Sequence, residues 1–288
     1  MNGTVVAPSL VPDDPAPPVV AALPVRGGGA PPAPPDGVDH LLLCDGSATV
    51  DLDLAAVQAL LDVARATGAG IVGPKLVDAD DRRRLVGMGY AVTRGGAVAH
   101  LVEPGELDQG QHDGTRDVFA VPGECLLVRA DLLRSVGFDP ALSAGRPAAV
   151  VSLCWRARTA GAAVVVTSDA VAAVRRPDTV RPTDLVTPTE QVRLVVTCYG
   201  LGHRWRVVPQ VVAAQVWGAA RALVRARPAA AVAPVGAWAV NLARVRSRWA
   251  VRGRVRRARR TPDRTVRRRQ APGVLQARLA ARRGLPGA

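Results

Sequence analysis

The chain is nearly without lysine, poor in aromatic residues and lacking paired cysteines. Lys75 is the single lysine among 288 residues, so every other basic side chain bar the histidines is an arginine. Guanidinium stays charged at any working pH and pairs bidentately with carboxylate or phosphate. Aromatics make up 3 % of the chain, so Ala, Val and Leu must supply the core. The four cysteines, Cys44, Cys125, Cys154 and Cys198, form no CxxC pair, and no histidine stands at zinc spacing. That excludes a zinc module and a disulfide scaffold, and predicts reduced thiols in a cytosolic compartment. No GxSxG, Walker or finger pattern occurs, which removes the corresponding hydrolase, NTPase and DNA-binding classes. No heptad or G-X-Y period is visible, which removes coiled coil and collagen. The first 25 residues carry no basic, then apolar, secretory pattern.

What is present is a globular composition with a lopsided charge. Apolar residues reach 48 % and charged ones 22 %, enough to bury a core in one large or two small domains. The net charge is +14. Residues 1–190 contribute −7, whereas residues 191–288 hold 22 arginines against one acid, Asp263, and contribute +21. A mildly acidic body followed by a basic third points to an anionic partner for the latter.

Residues 1–37 contain ten prolines and the run Gly27-Gly28-Gly29, and read as a disordered leader. Residues 38–180 alternate strand and helix signals. Residues 38–44 (VDHLLLC) suit a buried strand. Residues 53–67 place Leu54, Val57, Leu60, Leu61 and Ala64 at helical spacing, with Asp51 or Asp53 as cap and Gly68 as stop. Residues 69–72 predict a strand ended by Pro74. Residues 85–101 predict two short strands around Arg94-Gly95-Gly96, and 103–115 a surface loop. A strand bent at Pro122-Gly123 over 117–129, helices over 130–136 and 149–160, and a strand over 163–167 complete an α/β pattern with a mostly parallel sheet.

Residues 190–250 read as amphipathic helices. The apolar stretches 207–220 and 229–243 are each shorter than the roughly 20 residues that cross a bilayer. Trp205, Trp217, Trp238 and Trp249 lie among arginines here, a mix suited to the membrane interface. The bland alternative is a helical hairpin packed on the body. Residues 251–288 read as a basic, unstructured tail.

Four segments occur in a telling order: LLLCDGSATVDLDLAAVQAL, GAGIVGPKLVD, ELDQGQHDGTRDVFAVPGECLLVRADLLRSVGFDP and SLCWRARTAGAAVVVTSDAV. Together, over roughly residues 38–178, they resemble the family-2 glycosyltransferases, in particular the bacterial cell-envelope branch. The resemblance implies a nucleotide-diphospho-sugar transferase (GT-A type) fold followed by C-terminal helices. It also implies a nucleotide sugar donor, a glycan or lipid-linked acceptor, and work at the cytoplasmic face of the membrane. A Mg²⁺ or Mn²⁺ held by an acidic motif would neutralise the leaving diphosphate.

Transferred residue by residue, the acidic motif falls on Cys44-Asp45-Gly46, with Asp45 the one carboxylate for metal, ribose or diphosphate. Its alternative role is to cap a turn with Gly46. The family's general base precedes Leu153-Cys154-Trp155-Arg156, where this chain has Ala149, Val150, Val151 and Ser152. Val150 takes the base position, and no catalytic residue is assigned. On the acceptor side the resemblance implies Gly123, which allows close backbone approach, and Asp139 in the Gly137-Phe138-Asp139 turn. Trp155 and Arg156 follow on a helix. His112, in a polar loop, either faces a substrate or is solvated. Only a Pro-rich leader precedes Asp45, so the expected sheet is incomplete on its N-terminal side. Three readings stand: a transferase, a non-catalytic relative that binds or scaffolds at the membrane, and, less favoured, an Arg-rich nucleic-acid binder. The tail carries no RNA- or DNA-reading motif, and contact with an anionic membrane accounts for the same arginines.

Overall fold

The computed structural model describes residues 4–6, 19–25, 34–45, 48–142, 146–175, 185–224 and 228–271. Gly27-Gly28-Gly29, Gly46 and the segment 272–288 lie outside them.

A nine-stranded sheet forms the centre. Its strands are β1 (Thr4–Val6), β2 (Val19–Val25), β3 (His40–Asp45), β4 (Thr49–Asp51), β5 (Ile71–Asp78), β6 (Leu85–Gly87), β9 (Arg116–Asp117), β10 (Cys125–Arg129) and β11 (Val164–Arg175). The main path runs β1-β2-β3-β10-β5-β11-β4, with β6 on β5 and β9 on β11. A separate hairpin joins β7 (Tyr90–Val92) and β8 (Val98–His100).

The sheet is mixed, which corrects the mostly parallel expectation. Along that path only β2–β3 and β5–β11 pair in parallel. The reason is β10, which inserts antiparallel between β3 and β5. The leader also departs from expectation. β2 is an apolar VVAALPV run that pairs with β3 from Val20↔His40 to Val25↔Asp45. It covers the edge that β3 would otherwise expose. β5 continues through Pro74, where a strand end is predicted. Pro74 stands opposite Thr167, and the register slips between Thr167 and Val171. A slip there tolerates the missing N–H donor.

Alternation with period two splits the core. Leu41 and Leu43 of β3, with Leu126 and Val128 of β10, join one cluster. Leu42, with Cys125 and Leu127, joins the other. Helix α1 (Leu54–Thr67) covers the second face. Its cap is Asp53, whose carboxylate accepts from the Ala56 N–H at 2.7 Å, and Gly68 ends it at φ 63°. Helices α2 (Ala130–Val136) and α3 (Pro147–Thr159) cover the first face. From Ala148 to Thr159, α3 is buried on every side, because the sheet lies below it and more helices lie above.

Those outer helices are α4 (Pro188–Cys198), α5 (Leu201–Val224), α6 (Pro228–Ala243), α7 (Val245–Ala258) and α8 (Asp263–Arg268). α4 starts with a capping box: the Thr187 hydroxyl accepts from the Glu190 N–H, and the Glu190 carboxylate accepts from the Thr187 N–H. Two expectations change here. α5 has 24 residues and, by length and composition alone, is long and apolar enough to cross a bilayer. The expected unstructured tail is helical as far as Arg268. Val251, Val255 and Val266 are all buried, so the arginine-rich sequence still presents one apolar stripe to the body.

A buried ion pair ties this outer layer to the α/β body. Arg193 of α4 donates to both carboxylate oxygens of Asp139 at 2.8 Å, and also to the Ser247 hydroxyl at 2.8 Å. The side chains are 3 % and 0 % exposed. Asp139→Asn leaves Arg193 buried and unmatched, and is expected to cost about 3–5 kcal/mol. Denaturant unfolding measures this, and replacing both partners with apolar residues should recover most of the loss.

Candidate functional site

The strand ends of β3 and β10 and the first turn of α3 meet at one place. The Asp45 N–H donates to the Glu124 carbonyl at 2.9 Å. One residue back, Cys44 and Cys125 stand opposite each other, with Sγ atoms 3.9 Å apart. Alternation assigns that thiol pair to the α1 side. It therefore assigns Asp45 and Glu124, the next pair along, to the side covered by α3.

Gly123 then brings the backbone against α3. A Cβ built on Gly123 would lie 3.0 Å from Cγ2 of Val150. Val150 is 2 % exposed. Asp45, Gly123 and Val150 thus adjoin through Glu124. A carboxylate at position 150 would stand beside the Asp45 strand end, and a valine there offers only a methyl contact. Glu124 escaped sequence reading. It is 7 % exposed, and its place opposite Asp45 becomes visible only once the antiparallel β3–β10 register is known.

The other acceptor-side expectations are corrected. Asp139 is committed to Arg193 and to the Ala141 N–H at 3.1 Å. Trp155 is fully buried, edge-on to Phe119 and Tyr199 with centroids 5.5 and 4.8 Å apart. Arg156 is also fully buried. It donates to the carbonyls of Ser152 at 3.0 Å and Val136 at 2.8 Å. Burial pulls its basicity down. These three side chains hold the core and face no cleft. His112 is buried rather than solvated, 3.4 Å from Glu106. Its loop is pinned by Lys75, which donates to Asp108 at 2.7 Å and Asp113 at 2.6 Å. Burial opposes the Lys75 charge, but the two carboxylates outweigh it and the ammonium is raised.

The residues do not fit a resident Mg²⁺ or Mn²⁺. Among the described residues no group of three or more His, Cys, Asp or Glu is disposed to hold a metal. Asp45 has a thiol on one side and a buried glutamate across the strand, whereas hard cations need several oxygen ligands in reach. No step is therefore routed through a metal.

The four thiols differ sharply. Cys44 is half-buried, and its contact with Cys125 holds it below the ordinary thiol range. Cys125 is raised by the same contact and by burial. Burial raises Cys198 and pushes Cys154 up to about 11.

No family model matches the chain, and no curated protein matches it. Among solved structures, one match is a crystal structure of GalNAc-T7 with UDP, GalNAc and Mn²⁺. The TM-score is 0.39 and the identity 11 %, over 55 % of this chain and 31 % of that one. The chain therefore spans less than a third of that structure's length, and the description of the site rests on the geometry above.

Two outcomes are expected. Gly123→Ala forces its new methyl into Val150 and should cost about 1–3 kcal/mol. In a Val150→Ala background that cost should shrink, as a double-mutant cycle of unfolding free energies would register. Native-state alkylation at mildly alkaline pH should modify Cys44 first. Peptide mapping should find Cys125, Cys154 and Cys198 modified only after unfolding.

Proposed function

We propose that this chain is a glycosyltransferase-like α/β protein that binds rather than transfers, held at the cytoplasmic face of an anionic membrane by its outer helices. One observation carries the first half: Val150 is packed on Gly123 where the resemblance calls for a general base. Valine accepts no proton, and a missing base alone costs a transferase about 10²–10⁴ in rate. Asp45 retains the capacity to bind ribose, diphosphate or sugar hydroxyls. The ligand class this reading favours is a nucleotide sugar or a glycan or lipid-linked acceptor.

The second half rests on exposed apolar surface beside exposed arginines. Trp205, Trp217 and Trp249 are 80 %, 69 % and 74 % exposed. Val216 and Leu223 of α5 and Val235 and Leu242 of α6 are exposed as well. Indole and arginine together suit the headgroup region of a bilayer, where apolar bodies sink and charges meet lipid phosphate. In this reading α5 lies along the surface, since its uncharged stretch between Arg206 and Arg221 is shorter than the roughly 20 residues that cross a bilayer.

Calorimetry with UDP, GDP and dTDP sugars, with and without Mn²⁺, tests the first half together with a radiolabelled transfer assay. Binding that Asp45→Ala weakens, without turnover, is the expected result. Sugar transfer by the wild-type chain would overturn it. Flotation with phosphatidylglycerol vesicles, reduced by high salt and absent with phosphatidylcholine vesicles, is expected for the second half. Recovery in the soluble fraction alone would defeat it. Resistance to alkaline extraction would replace a surface helix by a crossing one.

A further inference from the structure

Beneath the exposed face of the outer helices lies a half-open cavity of about 830 Å³. The end of α4, the first turns of α5, Trp238 of α6 and one stripe of α7 enclose it. The α7 stripe has Arg248, Arg252 and Val255 at helical spacing, so these project to one side, and Arg259 follows just past the helix end. Val208, Trp238 and Val255 give the wall its apolar area.

Of the five arginines that line this cavity, Arg256 is exposed and the other four are of two kinds. Arg252 donates to the Val196 carbonyl at 3.1 Å. Arg259 pairs with Asp263 and donates to the Cys198 carbonyl at 3.0 Å. Arg204 and Arg248 have neither arrangement. Among the described residues no carboxylate or carbonyl accepts from their guanidinium groups, although both are half-buried. Burial weakens the charge on each, and Arg248 is further opposed by Arg193 and Arg204. Two partly desolvated like charges facing one cavity lack a counter-anion.

The lining also restricts what that anion is attached to. Its hydroxyls come from Thr197 and Tyr199. Thr197 donates to the Arg193 carbonyl at 2.7 Å. Tyr199 is engaged with the Arg94 carbonyl at 3.0 Å and Gln270 at 2.7 Å. Little is left to read the edge of a sugar or a base. Valine, leucine and indole surface is left for hydrocarbon.

We infer that this cavity binds the phosphate of an anionic lipid between Arg204 and Arg248, with the first part of the lipid's chain against Trp238, Val208 and Val255. The choice of a lipid as occupant rests on the membrane reading above. Guanidinium takes phosphate oxygens bidentately, and the volume lies in the range of small-molecule sites. Trp249, exposed at the mouth, is then an interfacial anchor.

The full chain is titrated with dihexanoyl phosphatidic acid below its micelle concentration, by calorimetry and tryptophan fluorescence. Arg204→Gln with Arg248→Gln should raise the Kd by about tenfold or more, as expected for lost charge-assisted contacts. Arg221→Gln with Arg246→Gln removes the same charge outside the cavity and should leave the Kd unchanged. The cavity variant should remain folded and unfold at no lower denaturant concentration, since a repulsion has been removed. Equal effects of the two variants, or no binding by folded wild type, would overturn the proposal. Inorganic phosphate or a single-stranded RNA oligonucleotide binding as tightly as the lipid would overturn the lipid assignment. Binding of the soluble lipid without flotation on anionic vesicles would sink the membrane reading and leave the cavity site standing. Flotation without soluble-lipid binding would do the reverse.

Discussion

The outer helical layer is tied to the body by one buried ion pair. Asp139 follows α2, Arg193 lies in α4, and Ser247 lies in α7, so a single guanidinium joins three segments far apart in the chain. Removing two charges from water is costly, and the bidentate geometry with the added hydroxyl is what offsets it. Because the pair needs α4 seated over α3, it also accounts for the burial of α3 on all sides. Arg156 and Arg158 are consequently carried into the interior, where carbonyls and Asp117 accept from them, although one Arg156 terminal nitrogen has no partner.

That arrangement explains why Asp139, Trp155 and Arg156 are buried in the packing. A turn carrying Asp139 faces a ligand only if nothing packs over it. Here α4 does, and the carboxylate has gone to Arg193. Trp155 is enclosed in the same way, between Phe119 below and Tyr199 of the α4–α5 junction above. With Val150 against Gly123, the first turn of α3 is apolar. What remains near the strand ends is Asp45, paired through the backbone with the buried Glu124.

Local signals in the sequence were legible where a short stretch settles its own conformation. The Asp53 cap and Gly68 stop bound α1 as their chemistry requires, and Ala130–Val136 is helical as its pattern indicates. The apolar run at residues 38–44 forms a strand over His40–Asp45, as its composition indicates. Direction and partnership were not legible. Nothing in CLLVR says that it enters antiparallel between β3 and β5, and the antiparallel pairing of β1, β4, β6 and β9 is equally invisible in the sequence. Pro74 reads as a strand end until the slip in β11 supplies a place without a donor. Trp155-Arg156 reads as a surface pair because helix periodicity cannot reveal a second helical layer. Glu124 was missed for a similar reason: its relation to Asp45 is a register between segments some eighty residues apart.

The charge of the last third is the property sequence composition described best and explained least. A total of +21 suggests a solvated tail, yet the fold distributes it. Arg193, Arg252, Arg254 and Arg259 are spent inside, on Asp139, Asp263 and the carbonyls of Val196, Phe138 and Cys198. Each such contact holds a helix end or a loop in place, so these arginines act as packing elements whose charge is absorbed locally. Among the described residues, Arg206, Arg221, Arg246 and Arg256 are exposed on helices that also expose tryptophan. Helices α5 to α7 can keep both an apolar and a cationic exterior only in surroundings that satisfy both. Water satisfies the guanidinium groups and leaves the apolar surface exposed. Hydrocarbon alone would do the opposite. The boundary between an anionic headgroup layer and its acyl chains would satisfy both at once, which is the physical ground of the membrane proposal.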